Sequence, residues 1–142
     1  MTFKTFAAAG ALVLLAAGAA DAGVLRYTAI LKGALEAPPT ASPARGVINA
    51  VLDTDRRELE YTVTYQRLAG PVTVAGFKEA ASPPDDPIVT APGPGADGTI
   101  HAVVKLTPAQ IDDLNAGRWW FDIGTSANPG GEIRGRLTRT SG

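Results

Sequence analysis

The sequence predicts an all-β domain, an antiparallel sandwich or barrel crossed by one short helix. Three observations carry that prediction. Apolar and polar residues alternate with period two in segment after segment, the pattern of strands with one buried face. Clusters of Gly, Pro, Asp and Asn interrupt those segments at short intervals. One stretch, Thr107 to Gly117, has the capping residues and spacing of a helix instead.

The chain opens on a short segment with one charge, Lys4, followed by an apolar run from Ala7 to Ala20 and then Ala20-Asp21-Ala22. That order predicts a signal peptide cleaved after Ala22. The run is about 14 residues, short of the roughly 20 that cross a bilayer as a helix. Of 142 residues, those from 23 to 142 remain, enough for one domain. There is no cysteine, so packing and hydrogen bonds must hold an exported domain, periplasmic or extracellular, that has no disulfide. A net charge of −1 supplies no field to attract nucleic acid or an anionic membrane. No apolar run after the signal could span a bilayer, so no membrane insertion is expected once it is cleaved.

The strands follow in order. Leu25, Tyr27, Ala29 and Leu31 share one face of the first, and Ile48, Ala50 and Leu52 one face of the second, Gly46 to Leu52. Asp53 to Arg57 reads as a hairpin turn into the cleanest strand, with Leu59, Tyr61, Val63 and Tyr65 inward. After a break at Gly70-Pro71, Val72 to Glu79 is a strand that Gly76 weakens or bulges. Ser82 to Gly98 is a Pro- and Gly-rich loop with room for a short strand at Ile88 to Thr90. Thr99 to Leu106 resumes the alternation. Thr107-Pro108-Ala109-Gln110 is an N-cap, a first-turn proline and the glutamine of a capping box; Ile111 and Leu114 face the core and Gly117 ends the helix. Trp119, Phe121 and Ile123 point inward from the next strand. Asn128-Pro129-Gly130-Gly131 is a tight turn, and Glu132 to Arg139 returns as the last strand with Ile133 and Leu137 inward. That makes about seven strands.

Several of these segments, taken in order, resemble the CHRD (chordin-type) domain family over roughly Tyr27 to Leu137. The matching pieces are Leu31 to Pro39, ending in Glu36-Ala37-Pro38-Pro39; Gly46 to Asp53; the helix Leu106 to Gly117; and the closing hairpin Trp120 to Leu137, with Asn128-Pro129-Gly130-Gly131-Glu132-Ile133-Arg134-Gly135 as the most specific. The resemblance implies an immunoglobulin-like or superoxide-dismutase-like sandwich or barrel in a secreted protein. It also implies structural roles for Pro129, Glu132, Arg134 and Gly135. The chain departs from the family pattern where relatives tend to carry histidines: those positions are Gly76, Lys78 and Gly124 here. They are expected to cluster. An ammonium at Lys78 in place of an imidazole would oppose a bound cation.

The residues themselves point away from catalysis. His101 is the only histidine and lies out of phase with inward Ile100 and Ala102, so no metal site and no cofactor are expected. Asp85, Asp86 and Asp97 could contribute oxygens to a cation on the long loop, without the spacing of a known calcium motif. Ser42, Ser82 and Ser126 lack the context of an activated nucleophile, and Asp112-Asp113 reads as solvated charge. Glu132, Arg134 and Arg136 are two apart and read as an ion-paired row, with Arg134 or Arg136 as candidate contacts to a partner. Trp119 belongs to the core; adjacent Trp120 faces the other way, covered or exposed as a binding platform. The expected function is that of a secreted, non-catalytic module, not an enzyme, that binds an unidentified protein or polysaccharide. The alternative is a small-ligand or metal-binding barrel.

Overall fold

The structure is a computed structural model that describes residues 23–79, 89–90 and 97–140. Its strands are β1 (Val24–Lys32), β2 (Arg45–Asp53), β3 (Glu58–Gln66), β4 (Val72–Glu79), β5 (Val89–Thr90), β6 (Gly98–Lys105), β7 (Trp119–Thr125), β8 (Ile133–Arg136) and β9 (Thr138–Arg139). A 3-10 turn spans Gly33–Leu35, and one α-helix among the described residues, α1, spans Pro108–Asn115. The strands form a single sheet in the order β5-β4-β7-β8-β1-β2-β3-β6, with β9 also paired to β1. Every pairing is antiparallel. The sheet curls into a half-barrel around its core, so the expected all-β architecture takes the form of one continuous sheet. Among the described residues no helix is long and apolar enough to cross a membrane.

Alternation along each strand builds the core. Tyr27 and Leu31 of β1, Ile48 and Leu52 of β2, Leu59 and Tyr61 of β3, Phe77 of β4 and Phe121 of β7 are almost wholly buried. The rings meet edge to face, with Tyr61–Phe77 centroids at 4.8 Å and Phe77–Phe121 at 5.0 Å, while Trp119 tilts against Phe77 at 5.1 Å. Such pairs add about 0.5–1.5 kcal/mol each beyond area burial. The β2–β3 turn is held by Asp53, whose Oδ1 accepts from the amides of Asp55 and Arg56, both at 3.0 Å.

Helix α1 starts on a complete capping box: the Gln110 amide donates to Thr107 Oγ1 at 3.1 Å and the Thr107 amide to Gln110 Oε1 at 2.9 Å. Leu114 enters the core and Ile111 packs against it. The Tyr27 hydroxyl donates to the Asn115 side chain, which ties the helix to β1. Gly117, at φ +78°, ends it.

Two details differ from the sequence expectation. The irregularity in β4 falls between Val72 and Val74, not at Gly76, which keeps regular pairing with Asp122 and Thr90. Its place beside Pro71 is the physical reason, because proline has no amide to give the ladder. The last strand is not continuous either. The Leu137 amide donates to the Trp119 carbonyl at 3.0 Å and its side chain turns into the core; there the pairing with β7 ends, while the pairing with β1 that β8 already makes goes on in β9. Of the expected long loop, Val89–Thr90 pairs as β5 with β4 and Asp97 accepts from the Arg67 amide. The signal segment, Ser82, Asp85 and Asp86 lie outside the described residues.

Candidate functional site

The residues of β7 that turn away from the core, Trp120, Asp122 and Gly124, lie opposite Lys78, Gly76 and Val74 of β4. On the other side Asp122 pairs with Arg134 of β8. Gly76, Lys78 and Gly124 therefore share one face of neighbouring strands, with Asp122 among them. Two irregular segments cover this face. Residues 36–41 follow the 3-10 turn, where Pro38 and Pro39 keep the chain out of a sheet ladder. Residues 127–131 form the β7–β8 turn, in which the Gly131 amide donates to the Asn128 carbonyl at 3.0 Å. The turn packs directly on Gly124, whose missing Cβ would stand 3.2 Å from the Pro129 carbonyl oxygen.

Between the two segments runs an open groove of about 510 Å³. Its walls include Pro38 and Pro39 on one side and Asn128, Pro129 and Gly130 on the other, and Glu36 is the one ionisable residue that lines it.

Glu36 leads into a buried charge cluster. It is 6% exposed and Asp122 is 3% exposed. Lys78 Nζ lies 3.4 Å from Asp122 Oδ2, Arg134 Nη1 3.9 Å from the same oxygen, and Arg134 Nε 3.8 Å from Glu36 Oε1. The cations thus address Oδ2 and Oε1. The remaining oxygens, Glu36 Oε2 and Asp122 Oδ1, are buried without a hydrogen-bond donor among the described residues. Burial, the hydrogen bond to Asp122 and the charge of Asp122 push the Glu36 carboxyl up to about 9, against the opposing pull of Arg134 and Lys78. A proton carried by Glu36 would let it donate to Asp122 and satisfy both stranded oxygens.

Glu132 sits on the other side of the same turn, 0% exposed. Its Oε2 accepts from Ser42 Oγ at 2.6 Å and the Ala69 amide at 2.9 Å, and its Oε1 accepts from Thr125 Oγ1 at 2.7 Å. Thr40 Oγ1 donates to its carbonyl at 2.8 Å, and its own amide donates to Ile123 at 2.7 Å. Burial alone would raise this carboxyl, but hydrogen bonds from Ser42, Thr125, Ala69 and Asn128 outweigh burial and hold it below the ordinary range. Glu132 fastens three loops to the sheet.

The ion-paired row of Glu132, Arg134 and Arg136 does not form. Glu132 precedes the first residue of β8 and turns to the hydroxyls and amide just named, because the residue before it, Gly131, has φ +129°. Arg134 donates from Nε to the Leu35 carbonyl at 2.9 Å and lies 4.8 Å from the centroid of the Trp120 ring. Trp120 is half-buried beneath that guanidinium, a stacked cation rather than a bare platform. Arg136 is exposed and donates to the Gly117 carbonyl at 3.3 Å, away from the groove. Gly135 lies where a Cβ would collide with the Ile30 carbonyl, so β8 crosses β1 at backbone contact. Pro129 lines the groove. His101 is on the outer face, 2.8 Å from Glu60, and Asp113 pairs with Arg118 at 2.8 Å. Among the described residues no group of three or more His, Asp or Glu side chains is placed to hold a metal ion.

The Glu36–Asp122 pair escaped the sequence reading. Two signals were present: an acid directly before Ala37-Pro38-Pro39, and a lone aspartate within the otherwise apolar Trp119 to Ile123. Neither indicates by itself that the two residues meet, since 86 positions separate them (122 less 36).

Comparison with known families gives one match: the model of the CHRD domain fits residues 27–137. No curated protein and no solved structure is matched.

Proposed function

The chain belongs to the CHRD domain family, and on that footing we propose that it is an exported, non-catalytic interaction module that binds an extended segment of a partner protein in the groove between residues 36–41 and 127–131. The observation that carries this reading is the make-up of the groove. Proline, alanine and glycine make up most of its lining, beside the neutral polar Thr40 and Asn128 and, among the described residues, a single ionisable side chain, Glu36. Walls of small, mostly uncharged residues with backbone groups among them suit a peptide in extended conformation. A sugar chain is better served by an aromatic face and an array of polar side chains, and here the half-buried Trp120 already stacks on Arg134. The acids and bases nearby support a non-catalytic role, because Glu132, Asp122, Lys78 and Arg134 are engaged with one another or with neighbouring hydroxyls and carbonyls. The apolar run and Ala20-Asp21-Ala22 support action outside the cytoplasm, in a periplasm or beyond the cell.

Gly130 provides the test. Gly130 lines the groove and a Cβ built there meets nothing within 4 Å, so a side chain at 130 fits without strain. Peptides selected from a display library against residues 23–142 are expected to bind wild type and to lose at least tenfold in affinity on Gly130→Phe, with the circular dichroism spectrum unchanged. Selected peptides that bind both proteins equally, or oligosaccharides that bind and are blocked by the same substitution, would overturn the reading.

A further inference from the structure

We infer that the proton shared between Glu36 and Asp122 latches one wall of the groove to the sheet, so that its loss lifts residues 36–39 and reshapes the site; the link to binding rests on the groove reading above, whereas the latch stands on the buried cluster itself.

Asp122 is held in the middle of the sheet, paired to Gly76 on one side and Arg134 on the other. Gly131 lies over the carboxyls, and its turn is fastened through Thr125, Asn128 and Glu132. Glu36 stands outside any strand. Its segment is tied at Leu35, whose carbonyl accepts from Arg134, and at Thr40, whose amide donates to the Gly33 carbonyl and whose hydroxyl donates to the Glu132 carbonyl. Between those two anchors the Glu36 amide donates to the Gly33 carbonyl at 3.1 Å, and among the described residues the Glu36 carboxyl is the segment's one side-chain tether toward β7 and β8.

With the proton present, Oε2 and Oδ1 satisfy each other. When the proton passes to solvent, two carboxylates face each other in a buried site. Four charged groups then meet there: Glu36 from the loop, Asp122 from β7, Lys78 from β4 and Arg134 from β8. The two cations stand 3.4–3.9 Å from the carboxyl oxygens, longer than the about 2.8 Å of a strong charge-assisted bond. Among the described residues nothing donates to Oε2 and Oδ1. Repulsion and the need for hydration are relieved by the outward movement of the Glu36 side chain with the least-anchored piece of the segment, residues 36–39, and that piece is a wall of the groove.

Carbon-detected NMR of uniformly labelled protein, without any ligand, tests the latch. Between pH 5 and 10 the Glu36 carboxyl, the Gly131 Cα and the Ala37 and Pro38 Cα resonances are expected to shift together along one alkaline curve. In Glu36→Gln the three backbone sites are expected to stay still across that range. A Glu36 carboxyl that titrates at the ordinary carboxylate pH, or an alkaline titration during which Ala37, Pro38 and Gly131 do not move, overturns the proposal. Peptides from the display experiment, compared at pH 6 and pH 9.5, then read the consequence for binding. If no peptide binds, the groove reading fails while the carbon shifts still decide the latch.

Discussion

Gly131 lies directly on Glu36. A Cβ added to the glycine would stand 2.6 Å from Glu36 Oε1, 2.8 Å from Oε2 and 2.7 Å from Asp122 Oδ1. Its φ of +129° is closed to other residues as well. Two turns from distant parts of the chain therefore meet at a point with no room for one methyl group. Gly131→Ala is expected to cost about 2–4 kcal/mol in urea unfolding, from backbone strain and a clash with buried oxygens together. Gly130→Ala, one position earlier with open space beyond it, is expected to stay within about 0.5 kcal/mol of wild type. Equal costs would show that the contact at 131 is not what constrains the turn.

The proton on Glu36 makes stability depend on pH with a definite sign. The carboxyl is raised from its ordinary 4.5 to about 9, so the native state holds a proton that the unfolded chain has released. That contribution is complete below pH 4.5 and is lost as the pH climbs toward 9. Glutamine keeps a neutral donor beside Asp122 at every pH. Glu36→Gln should therefore flatten the alkaline decline and, at pH 9, melt about 5 °C above wild type by calorimetry. A wild-type decline that persists unchanged in the variant would locate the titrating group elsewhere.

Glu132 has the opposite dependence. Its hydrogen bonds hold it below the ordinary carboxylate range, so its contribution is present above pH 4.5 and fades as the pH falls through and below that value. Glu132→Ala strands the Ser42 and Thr125 hydroxyls and the Ala69 amide and should cost about 3–5 kcal/mol at pH 7. Glu132→Gln retains one acceptor and should cost about 1–3 kcal/mol. The gap between wild type and Glu132→Gln should narrow between pH 5 and pH 3, measured by denaturant titration.

The helix start offers a test far from the groove. Thr107→Ala removes one half of the capping box and should cost about 1 kcal/mol in the same assay, with the groove's peptide affinity unchanged.

The strands were legible because each has one buried face. Leu59 through Tyr65 alternates without interruption, and the structure pairs it residue for residue with Gly46 to Leu52. The helix was legible from Thr107 and Gln110, since both halves of a capping box lie within four residues. The groove was not, for the same physical reason in reverse: its chemistry comes from pairs separated by most of the chain. Glu36 meets Asp122, Ser42 meets Glu132 and Leu35 meets Arg134. Local spacing records what a strand does with its own faces. It carries nothing about which loop will be laid across them. The break at Leu137 was hidden similarly, because Arg136, Leu137 and Thr138 continue the alternation across the point where the pairing with β7 ends.

Past that point β9 runs on along the start of β1, with Thr138 beside Thr28, Arg139 beside Tyr27 and the Thr140 amide on the Arg26 carbonyl. The two ends of the folded unit thus leave from the same margin of the sheet, side by side and running in opposite senses. Tension between them would load these rungs one at a time, as in opening a zipper, instead of shearing them together. A tether that pulls on both ends would peel Thr138–Arg139 away at low force, while β1 stays clamped between β2 and β8.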